Sequence, residues 1–287
     1  MFTEILKTWR FIRSHPLSSQ NLPTALSRWL KWQIGSRILN FPVVIAFVGD
    51  SQLVVERGMT GATGNIYAGL HEFADMAFCL HLLRPDDLFV DVGANIGSYT
   101  IIASKVVRAN SLALEPVPET FKRLQRNINL NDIASLVDAR CCAAGLTHGS
   151  LMFSDSLDTM NKVVNKEYSG SSIEVPVKSL DSMLDNLQPT LIKIDVEGFE
   201  PTVIAGAVKT LLRDSLLAIL IETVTPEIRE TLQKSGFKEF RYDPFKRELL
   251  DSEELYLGNN YLWIRNPTRI LDRCKSAPIY QVLGVSF

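Results

Sequence analysis

The sequence predicts a doubly wound α/β fold in which a mostly parallel sheet ends in an antiparallel hairpin, preceded by an extension of helices and a hairpin. The first observation is the stretch 88–97, an apolar run ending in small residues, as a buried parallel strand does when it enters a tight turn. The second is the alternation of strand-like and helix-like segments along residues 98–235. The third is the link between the predicted strands 237–242 and 260–264, which contains no clear helix and therefore predicts an antiparallel pair.

Length and composition place the chain among ordinary globular proteins. It has 287 residues, of which 46% are hydrophobic and 22% charged, enough for a sizeable core. The net charge of −2 gives no overall field that would attract nucleic acid, so nucleic acid is not expected as a partner. The four cysteines form no C-x-x-C pair, which indicates a reducing, cytoplasmic compartment. No apolar run approaches the ~20 residues of a membrane span, and charges interrupt the N-terminal pattern, unlike a secretory signal.

Residues 1–40 stand apart as a basic, amphipathic segment. Apolar residues at helical spacing predict one helix before Pro16 and a second after Pro23. The segment carries six lysines and arginines against one glutamate, a net charge of +5. It fits a helical pair lying on an anionic membrane surface or partner. It also fits a helical lid packed on the main domain, which we prefer because tryptophans at helical spacing are usually buried.

Residues 41–83 predict a hairpin, a loop and a helix. Two extended runs on either side of Gly49-Asp50 form the hairpin. Apolar residues at helical spacing over 71–83 predict a helix that ends before Pro85, and its histidines, His71 and His81, are interpreted as core or surface residues. Between hairpin and helix, a flexible loop is predicted from four glycines: Gly58, Gly61, Gly64 and Gly69.

The turn at the end of the apolar run within 88–97 indicates what kind of ligand the fold binds. Backbone N–H groups and the positive end of a helix dipole are expected to meet there. Its spacing, Gly93-x-x-x-Gly97 with Asn95 between, lacks the middle glycine that a pyrophosphate needs. Asp91 is placed inside the turn, where it would repel a pyrophosphate but pair with an ammonium group. The turn therefore suits an amino acid better than a diphosphate.

The next predicted strand, 112–115, ends in a second carboxylate. Glu115 lies eighteen residues beyond Gly97 and can accept both hydroxyls of a ribose, as acids do at this place in nucleotide folds. An amino acid and a ribose within one ligand describe S-adenosylmethionine. A helix from Pro118 and a strand near 137–143 follow. The polar residues 150–178 have two interpretations, a substrate-facing excursion and a surface hairpin without a role.

Carboxylates lie at or just past the ends of four predicted strands: Asp91, Glu115, Asp195 and Glu222. Ligands of open α/β sheets bind at these strand ends. Four carboxylates placed there without any polar partner would lower the stability of the fold. We expect Asp195 to act as the base or to orient the acceptor, with Glu197 and Glu222 as outer partners. These three acids could instead be oxygen ligands of Mg²⁺; the metal-free alternative is adopted. Lys193 is interpreted as pointing to the other side of the strand.

Three motifs occur together in this chain. They are FVDVGANIG at 89–97, Glu115-Pro116 followed by Asn127 and Asn131, and KIDVEGFE at 193–200. Together they resemble the FkbM family of methyltransferases, over about residues 65–265. The resemblance implies a class I methyltransferase (Rossmann-like) fold, S-adenosylmethionine as methyl donor, and usually O-methylation, often of sugars or polyketide-derived hydroxyls.

The resemblance also implies roles for individual residues. Glu72 matches a glutamate that the family often carries before its glycine turn, on the donor side. Residues 1–64 are then an N-terminal extension, 65–265 the methyltransferase domain and 266–287 a C-terminal tail. The implied donor-binding residues are Asp91, Gly93, Asn95, Gly97 and Glu115.

Three hypotheses of function follow from these features. The leading one is an S-adenosylmethionine-dependent methyltransferase that acts on a hydroxyl of a sugar, glycan or glycolipid intermediate. The second is a nicotinamide-dependent oxidoreductase, which the missing middle glycine disfavours. The third is a non-catalytic nucleoside-binding module, which the intact acids disfavour. A nucleic-acid base is disfavoured as acceptor because the Asp195 turn has no aromatic residue before Phe199.

Overall fold

The structure is a computed structural model that describes residues 2–38, 41–56, 58–154, 170–251 and 260–287. Its helices are α1 (Phe2–Ser14), α2 (Leu22–Ile38), α3 (Thr60–Ala68), α4 (Phe73–Leu82), α5 (Ser98–Ile101, continued by a π-helical turn, Ile102–Val106), α6 (Pro118–Leu130), α7 (Leu180–Met183), α8 (Glu200–Ala205), α9 (Val208–Leu211), α10 (Pro226–Lys234) and α11 (Pro267–Ser276). Its strands are β1 (Val43–Ala46), β2 (Gln52–Val55), β3 (Leu88–Val92), β4 (Asn110–Leu114), β5 (Val137–Arg140), β6 (Ala143–Ala144), β7 (Gly149–Ser154), β8 (Ser172–Lys178), β9 (Pro189–Ile194), β10 (Ala218–Ile221), β11 (Lys238–Asp243), β12 (Glu248–Asp251), β13 (Tyr261–Ile264), β14 (Gln281–Val282) and β15 (Val285–Ser286).

The central sheet has eight strands in the order β12-β11-β13-β10-β9-β3-β4-β5. Five neighbouring strands run parallel, namely β5, β4, β3, β9 and β10. In contrast, β13 pairs antiparallel with both β10 and β11. This order confirms the predicted α/β fold, a mostly parallel sheet that ends in antiparallel strands. The link between β11 and β13 was expected to be a charged loop, but it contains β12, which pairs with β11; its residues 252–259 lie outside the described residues.

Hydrophobic side chains fill both faces of this sheet. Along β3, Phe89 belongs to one buried cluster, while Val90 and Val92 belong to the other. Successive strand residues point to opposite faces, so the apolar residues of β3 supply both clusters at once. The charged residues of β3 and β9, Asp91 and Lys193, lie near the carboxyl ends of these strands.

The N-terminal extension packs against the main domain. Both predicted helices and the predicted hairpin are present as α1, α2 and the β1–β2 pair. Two asparagines, one in α6 and one directly after it, hold the hairpin: the Asn127 Oδ1 accepts the Val54 N–H at 2.7 Å, and the Asn131 Oδ1 accepts the Gln52 N–H at 2.9 Å. The two helices and the link between them add buried side chains to the same cluster as Phe89, namely Ile12, Leu17, Ala25 and Trp32.

The expectation of a flexible loop over the four glycines is wrong, because residues Thr60–Ala68 form α3. Gly64 lies where an added Cβ would be 2.1 Å from the His71 Nδ1, so glycine is required for close packing rather than for flexibility. Gly69 ends the helix with φ +81°, and its N–H donates to the Asn65 carbonyl at 2.9 Å. Tertiary packing outweighs the low helix propensity of glycine here.

The remaining segments add smaller layers. β6, β8 and β7 form a three-stranded sheet, which covers the described part of 150–178; residues 155–169 lie outside the described residues. α11 packs on α4, and the Arg273 Nε donates to the Leu82 carbonyl at 2.8 Å. The division into three domains stays a prediction. All four cysteines are free thiols. Among the described residues, no helix is long and apolar enough to span a bilayer.

Candidate active site

A cavity of about 520 Å³ opens at the carboxyl ends of β3, β4, β9 and β10. Walls also come from α1, α3 and the β6–β7–β8 sheet. Every residue that the sequence analysis assigned to the site lies in its lining except Gly97: Glu72, Asp91, Gly93, Asn95, Glu115, Asp195, Glu197 and Glu222. The parallel strands thus bring together acids that are more than a hundred residues apart in the chain.

The glycine turn lies directly against the end of β9. Gly93 has φ +82°, and a Cβ added there would lie 1.9 Å from the Asp195 carbonyl oxygen. The N–H groups of Gly93 and Ala94 both donate to the Leu114 carbonyl at 2.9 Å, which closes the turn on β4. Gly97 has φ +93° and packs outward, where a Cβ would be 2.6 Å from the Leu124 Cδ1. These two glycines permit a tight turn between β3 and α5.

Asp91 was expected inside the turn, but it is a residue of β3 and is 1% exposed. Its Oδ2 accepts a hydrogen bond from the Thr100 hydroxyl at 2.7 Å. Among the described residues no group pairs with its Oδ1. Burial raises the pKa of Asp91, against the opposing influence of the Lys193 ammonium. A buried carboxylate oxygen without a partner, in the wall of a cavity, fits a positively charged ligand group.

Glu115 follows β4 and bridges two backbone segments. Its Oε2 accepts the Asn95 N–H at 3.0 Å, and its Oε1 accepts the Val117 N–H at 2.9 Å. Burial raises the pKa of Glu115 to about 7, although these two hydrogen bonds oppose the rise. Each carboxylate oxygen has a second lone pair, so the group can still accept hydrogen bonds from a ligand.

Glu72 stands at the start of α4 rather than within it, as the N-cap residue. Its Oε2 accepts a hydrogen bond from the Tyr99 hydroxyl at 2.7 Å. The Tyr99 ring in turn lies 4.8 Å below the Lys193 ammonium, measured from the ring centroid to Nζ. Glu72 is therefore connected to both the glycine-turn helix and the buried lysine of β9.

Lys193 does not point away from Asp195, as the sequence analysis expected. Side chains two residues apart in a strand share a face, and the Lys193 Nζ donates to the Asp195 Oδ2 at 2.7 Å. The lysine side chain is 4% exposed, so it is a buried counter-ion within the site.

The carboxylates of Asp195 and Glu222 form a coupled pair beside this lysine. They share a hydrogen bond, and burial, together with the charge of Asp195, raises the pKa of Glu222 to about 8. Burial also acts to raise the pKa of Asp195, but the Lys193 ion pair and the two hydrogen bonds outweigh it and hold this pKa below its usual value. At neutral pH the pair therefore carries one proton, on Glu222.

Glu197 completes a cluster with these two acids. One oxygen from each of the three carboxylates lies within 4.8 Å of the others, a spacing that a metal ion can bridge. Glu197 is exposed and has φ +50°, on the turn from β9 into α8. The Lys193 ammonium offsets the charge of Asp195, and the raised pKa of Glu222 keeps that group protonated, which leaves one negative charge, that of Glu197, in the cluster.

Sequence reasoning missed three contributions to the cavity. His71 lines it, and burial lowers the pKa of its ring, so the ring is neutral at pH 7. The sequence signal that could have placed His71 in the cavity was its position directly before Glu72. Phe153 of β7 reaches the wall, which agrees with the substrate-facing interpretation of the described part of 150–178. From α1, Lys7 and Phe11 also line the cavity; residues 1–40 had no motif that predicted this.

Comparison with known proteins agrees with the geometry. Residues 91–239 match the family model of the methyltransferase FkbM domain. The chain is 30% identical over 148 residues to Methyltransferase 1 of Beauveria bassiana, covering 42% of this chain and 59% of that protein. It is 31% identical over 129 residues to the hexuronic acid methyltransferase AglP of Haloferax volcanii, covering 44% of this chain and 52% of that protein.

Two further relatives extend the comparison. Methyltransferase sdnD of Sordaria araneosa is 27% identical over 208 residues, covering 58% of this chain and 79% of that protein. The TYW2 structure of Pyrococcus horikoshii in complex with MeSAdo aligns with 79% of this chain and 70% of that one, at a TM-score of 0.42 and 16% identity. The family match spans more than half of the chain and includes the glycine turn, Glu115, Asp195 and Glu222. This protein therefore belongs to the FkbM methyltransferase family.

Proposed function

We propose that the protein transfers a methyl group from S-adenosylmethionine to a hydroxyl of a sugar, glycan or glycolipid. The observation that carries the proposal is the pair of adjacent carboxylates, Asp195 and Glu222, at the ends of β9 and β10 beside the glycine turn, with one oxygen of each within 4.8 Å of the other. A hydroxyl acceptor must lose its proton, and a carboxylate pair with one free position can receive it. Similarity to a hexuronic acid methyltransferase supports a sugar as the acceptor.

The residues of the cavity fit the proposed donor. The Asp91 Oδ1, buried and without a described partner, suits the ammonium of the methionine moiety. The backbone of the glycine turn at the start of α5 suits its carboxylate. Glu115 suits the ribose hydroxyls, since both its oxygens retain acceptor capacity. When bound, the donor supplies a methyl group on a positively charged sulfur.

The acceptor side is assigned to the three clustered acids. Asp195 holds its charge through Lys193 and is the proposed base or orienting group, while Glu222 and Glu197 stand as its outer partners. The buried lysine fixes the Asp195 side chain in one orientation, which lowers the entropic cost of aligning an acceptor hydroxyl. The half-buried His71 and the buried Phe153 line the cavity and limit the access of water to it.

Two substitutions separate the donor and acceptor roles. Glu115→Ala should weaken the binding of S-adenosylhomocysteine by roughly 1–3 kcal/mol, because ribose hydroxyls lose their acceptor. Asp195→Asn should keep that affinity and lower turnover on a sugar acceptor by roughly 10²–10⁴-fold. Calorimetry with S-adenosylhomocysteine and transfer of labelled methyl to a panel of glycans measure the two effects.

Control ligands and chelation test the alternatives. NAD, titrated in parallel, should give no heat; tighter binding of NAD than of S-adenosylhomocysteine would favour an oxidoreductase instead. EDTA should leave turnover unchanged under the metal-free mechanism. Loss of activity in EDTA with recovery in Mg²⁺ would assign the three acids to a metal ion, and full activity of Asp195→Asn would remove this residue from the chemistry altogether.

A further inference from the structure

The two N-terminal helices leave a row of large apolar side chains in water. Three lie on α1, with 39–43% of their surface exposed: Ile5, Leu6 and Trp9. Three lie on α2, with 52–72% exposed: Leu30, Ile34 and Ile38. We call these six residues the apolar face. Such a contiguous set is unusual on the surface of a monomeric protein and marks an interaction surface.

The apolar face continues into a groove between the two helices. The groove has a volume of about 250 Å³, and its lining is entirely apolar, including Trp9, Leu26 and Trp29. From Leu26 the same i, i+4 row of α2 runs on through Leu30 and Ile34. The groove and the exposed row therefore form one connected surface rather than scattered side chains.

The charge around this surface has a single sign. The sequence contains no aspartate or glutamate between Glu4 and Asp50. Both helices instead expose basic residues, namely Arg10, Arg13, Lys31 and Arg37. A chain whose overall charge is −2 has thus concentrated positive charge around its apolar face, which complements an anionic surface.

The same helices are anchored to the main domain. Phe11 of α1 packs against the main core, and Trp32 of α2 is buried in it. The Arg28 Nε donates to the Ile66 carbonyl at 2.6 Å, and the Gln33 amide donates to the Tyr67 hydroxyl at 3.1 Å. The apolar face is therefore presented by a packed element and needs no unfolding to meet a partner.

We propose that the apolar face and its surrounding basic residues bind the surface of an anionic phospholipid membrane. Amphipathic helices with leucine, isoleucine and tryptophan on one side and lysine and arginine beside them lie in the interface plane, with the apolar side chains among the acyl chains. The cationic side chains then meet lipid headgroups, and Trp9 takes the interfacial position that tryptophan favours. The packed lid and the membrane-binding segment are two sides of the same helical pair.

This docking has a consequence for the acceptor, and that consequence alone rests on the proposed function. α1 lines the active-site cavity through Lys7 and Phe11, and it lines the membrane-binding groove through Trp9. One helix of the cavity wall would therefore lie at the bilayer. The acceptor class that this placement favours is a glycan carried on a membrane lipid.

Sedimentation with vesicles tests the docking without any need for the acceptor. The full chain should bind vesicles of phosphatidylglycerol and phosphatidylcholine, and this binding should weaken at high salt. It should not bind vesicles of phosphatidylcholine alone. Arg10→Gln with Lys31→Gln should lower the partition coefficient about 30-fold. The matched control, Lys209→Gln with Lys275→Gln, removes two exposed charges elsewhere and should bind as the unchanged protein does.

A second pair of variants tests the apolar contribution. Leu30→Ser with Ile34→Ser should lower binding about tenfold. Val208→Ser with Leu212→Ser removes side chains of similar exposure from another part of the molecule and should have no effect.

Fluorescence reports which side chain enters the lipid. Tryptophan emission should shift to shorter wavelength when anionic vesicles are added, and Trp9→Phe should remove most of the shift. The other described tryptophans of the chain, at 29, 32 and 263, are each less exposed.

Three results would overturn the proposal: no preference for anionic vesicles, equal losses in the control variants, or a dimer that forms through Leu30 and Ile34 while vesicles stay unbound. In each case retained binding of S-adenosylhomocysteine and retained methyl transfer would show that only the docking had failed. Vesicle binding without methyl transfer would show that the proposed function had failed and that the docking still stood.

Discussion

At the scale of single residues, the site depends on one buried ammonium, Lys193, and two half-buried carboxyl groups, Asp195 and Glu222. Lys193 is paired with Asp195, so this carboxylate keeps its charge although it is half-buried. Glu222 lies next to that charge and, among the described residues, forms no ion pair with a cation. It keeps its proton instead, because two adjacent carboxylates cannot both ionise cheaply.

The titration of Glu222 makes a prediction about stability. Its pKa is about 8 in the folded protein, against an ordinary value of 4.5, so between these values the folded state holds a proton that the unfolded state has released. The stability that this group contributes is therefore complete below about pH 4.5 and is lost as the pH rises toward 8. Glu222→Gln cannot ionise, so its free energy of unfolding, measured relative to the unchanged protein in urea, should rise between pH 5 and pH 8.5.

A matched variant separates this effect from general charge effects. Glu248→Gln removes an exposed carboxylate at the start of β12, and its stability relative to the unchanged protein should vary much less over the same range. A difference between Glu222→Gln and the unchanged protein that stays constant with pH would contradict the shared proton.

At the scale of elements, the turn after β3 and the end of β9 form one unit. The backbone of Gly93 lies against the Asp195 carbonyl, and the Asp195 N–H donates to the Val92 carbonyl at 3.0 Å. Donor-side and acceptor-side residues are therefore positioned by direct contact between two strand ends. A substitution in the glycine turn should therefore affect the end of β9, and the reverse should also hold.

Gly93→Ala tests this contact. The substitution forces a methyl group against the Asp195 carbonyl, where the ideal distance is only 1.9 Å, and it also places alanine at φ +82°. Gly49→Ala is the control, because Gly49 also has a positive φ, +59°, and has open space around its Cβ position. Alanine at Gly49 should cost about 1–2 kcal/mol, and alanine at Gly93 should cost roughly 2 kcal/mol more in urea unfolding. Equal losses would show that the close approach is readily relieved.

At the scale of the whole molecule, the N-terminal helices are part of the folded core and not an appendage. Trp32 is 9% exposed and belongs to the same cluster as Phe89 of the central sheet. α2 also packs along α3, whose Tyr67 and Ala62 line the active-site cavity. Stability of the helical pair and shape of the site are thereby linked.

Two tryptophans that differ in exposure, the buried Trp32 and the exposed Trp9, test this link. Trp32→Ala should lower the free energy of unfolding by about 3–5 kcal/mol, as truncation of a buried aromatic side chain does. Trp9→Ala removes a tryptophan that is 41% exposed and should cost clearly less. Chemical denaturation of both variants, followed by circular dichroism, measures the difference. Similar small losses in the two variants would mean that the helical pair is not coupled to the core.

Much of the fold, and many of the residues that line the cavity, could be predicted from the sequence, because the signals are local. An apolar run, a Gly93-x-x-x-Gly97 turn and helical spacing occur within about twenty residues, and each constrains its own backbone. The carboxyl ends of parallel strands meet at one edge, so acids at strand ends such as Glu115 and Asp195 could be assigned to one site before any packing was known.

Only the tertiary structure decided the contacts that tune this site. Asp91 lies inside β3 rather than in the turn, Lys193 neutralises Asp195, and residues 60–68 are helical although they are rich in glycine. Lys193 and Asp195 share a face because they are two residues apart in the chain, but only packing shows that the lysine is buried. A glycine is kept in α3 where a neighbouring ring leaves no room for a Cβ. The local pattern determined which residues face the site, whereas packing determined their partners and protonation.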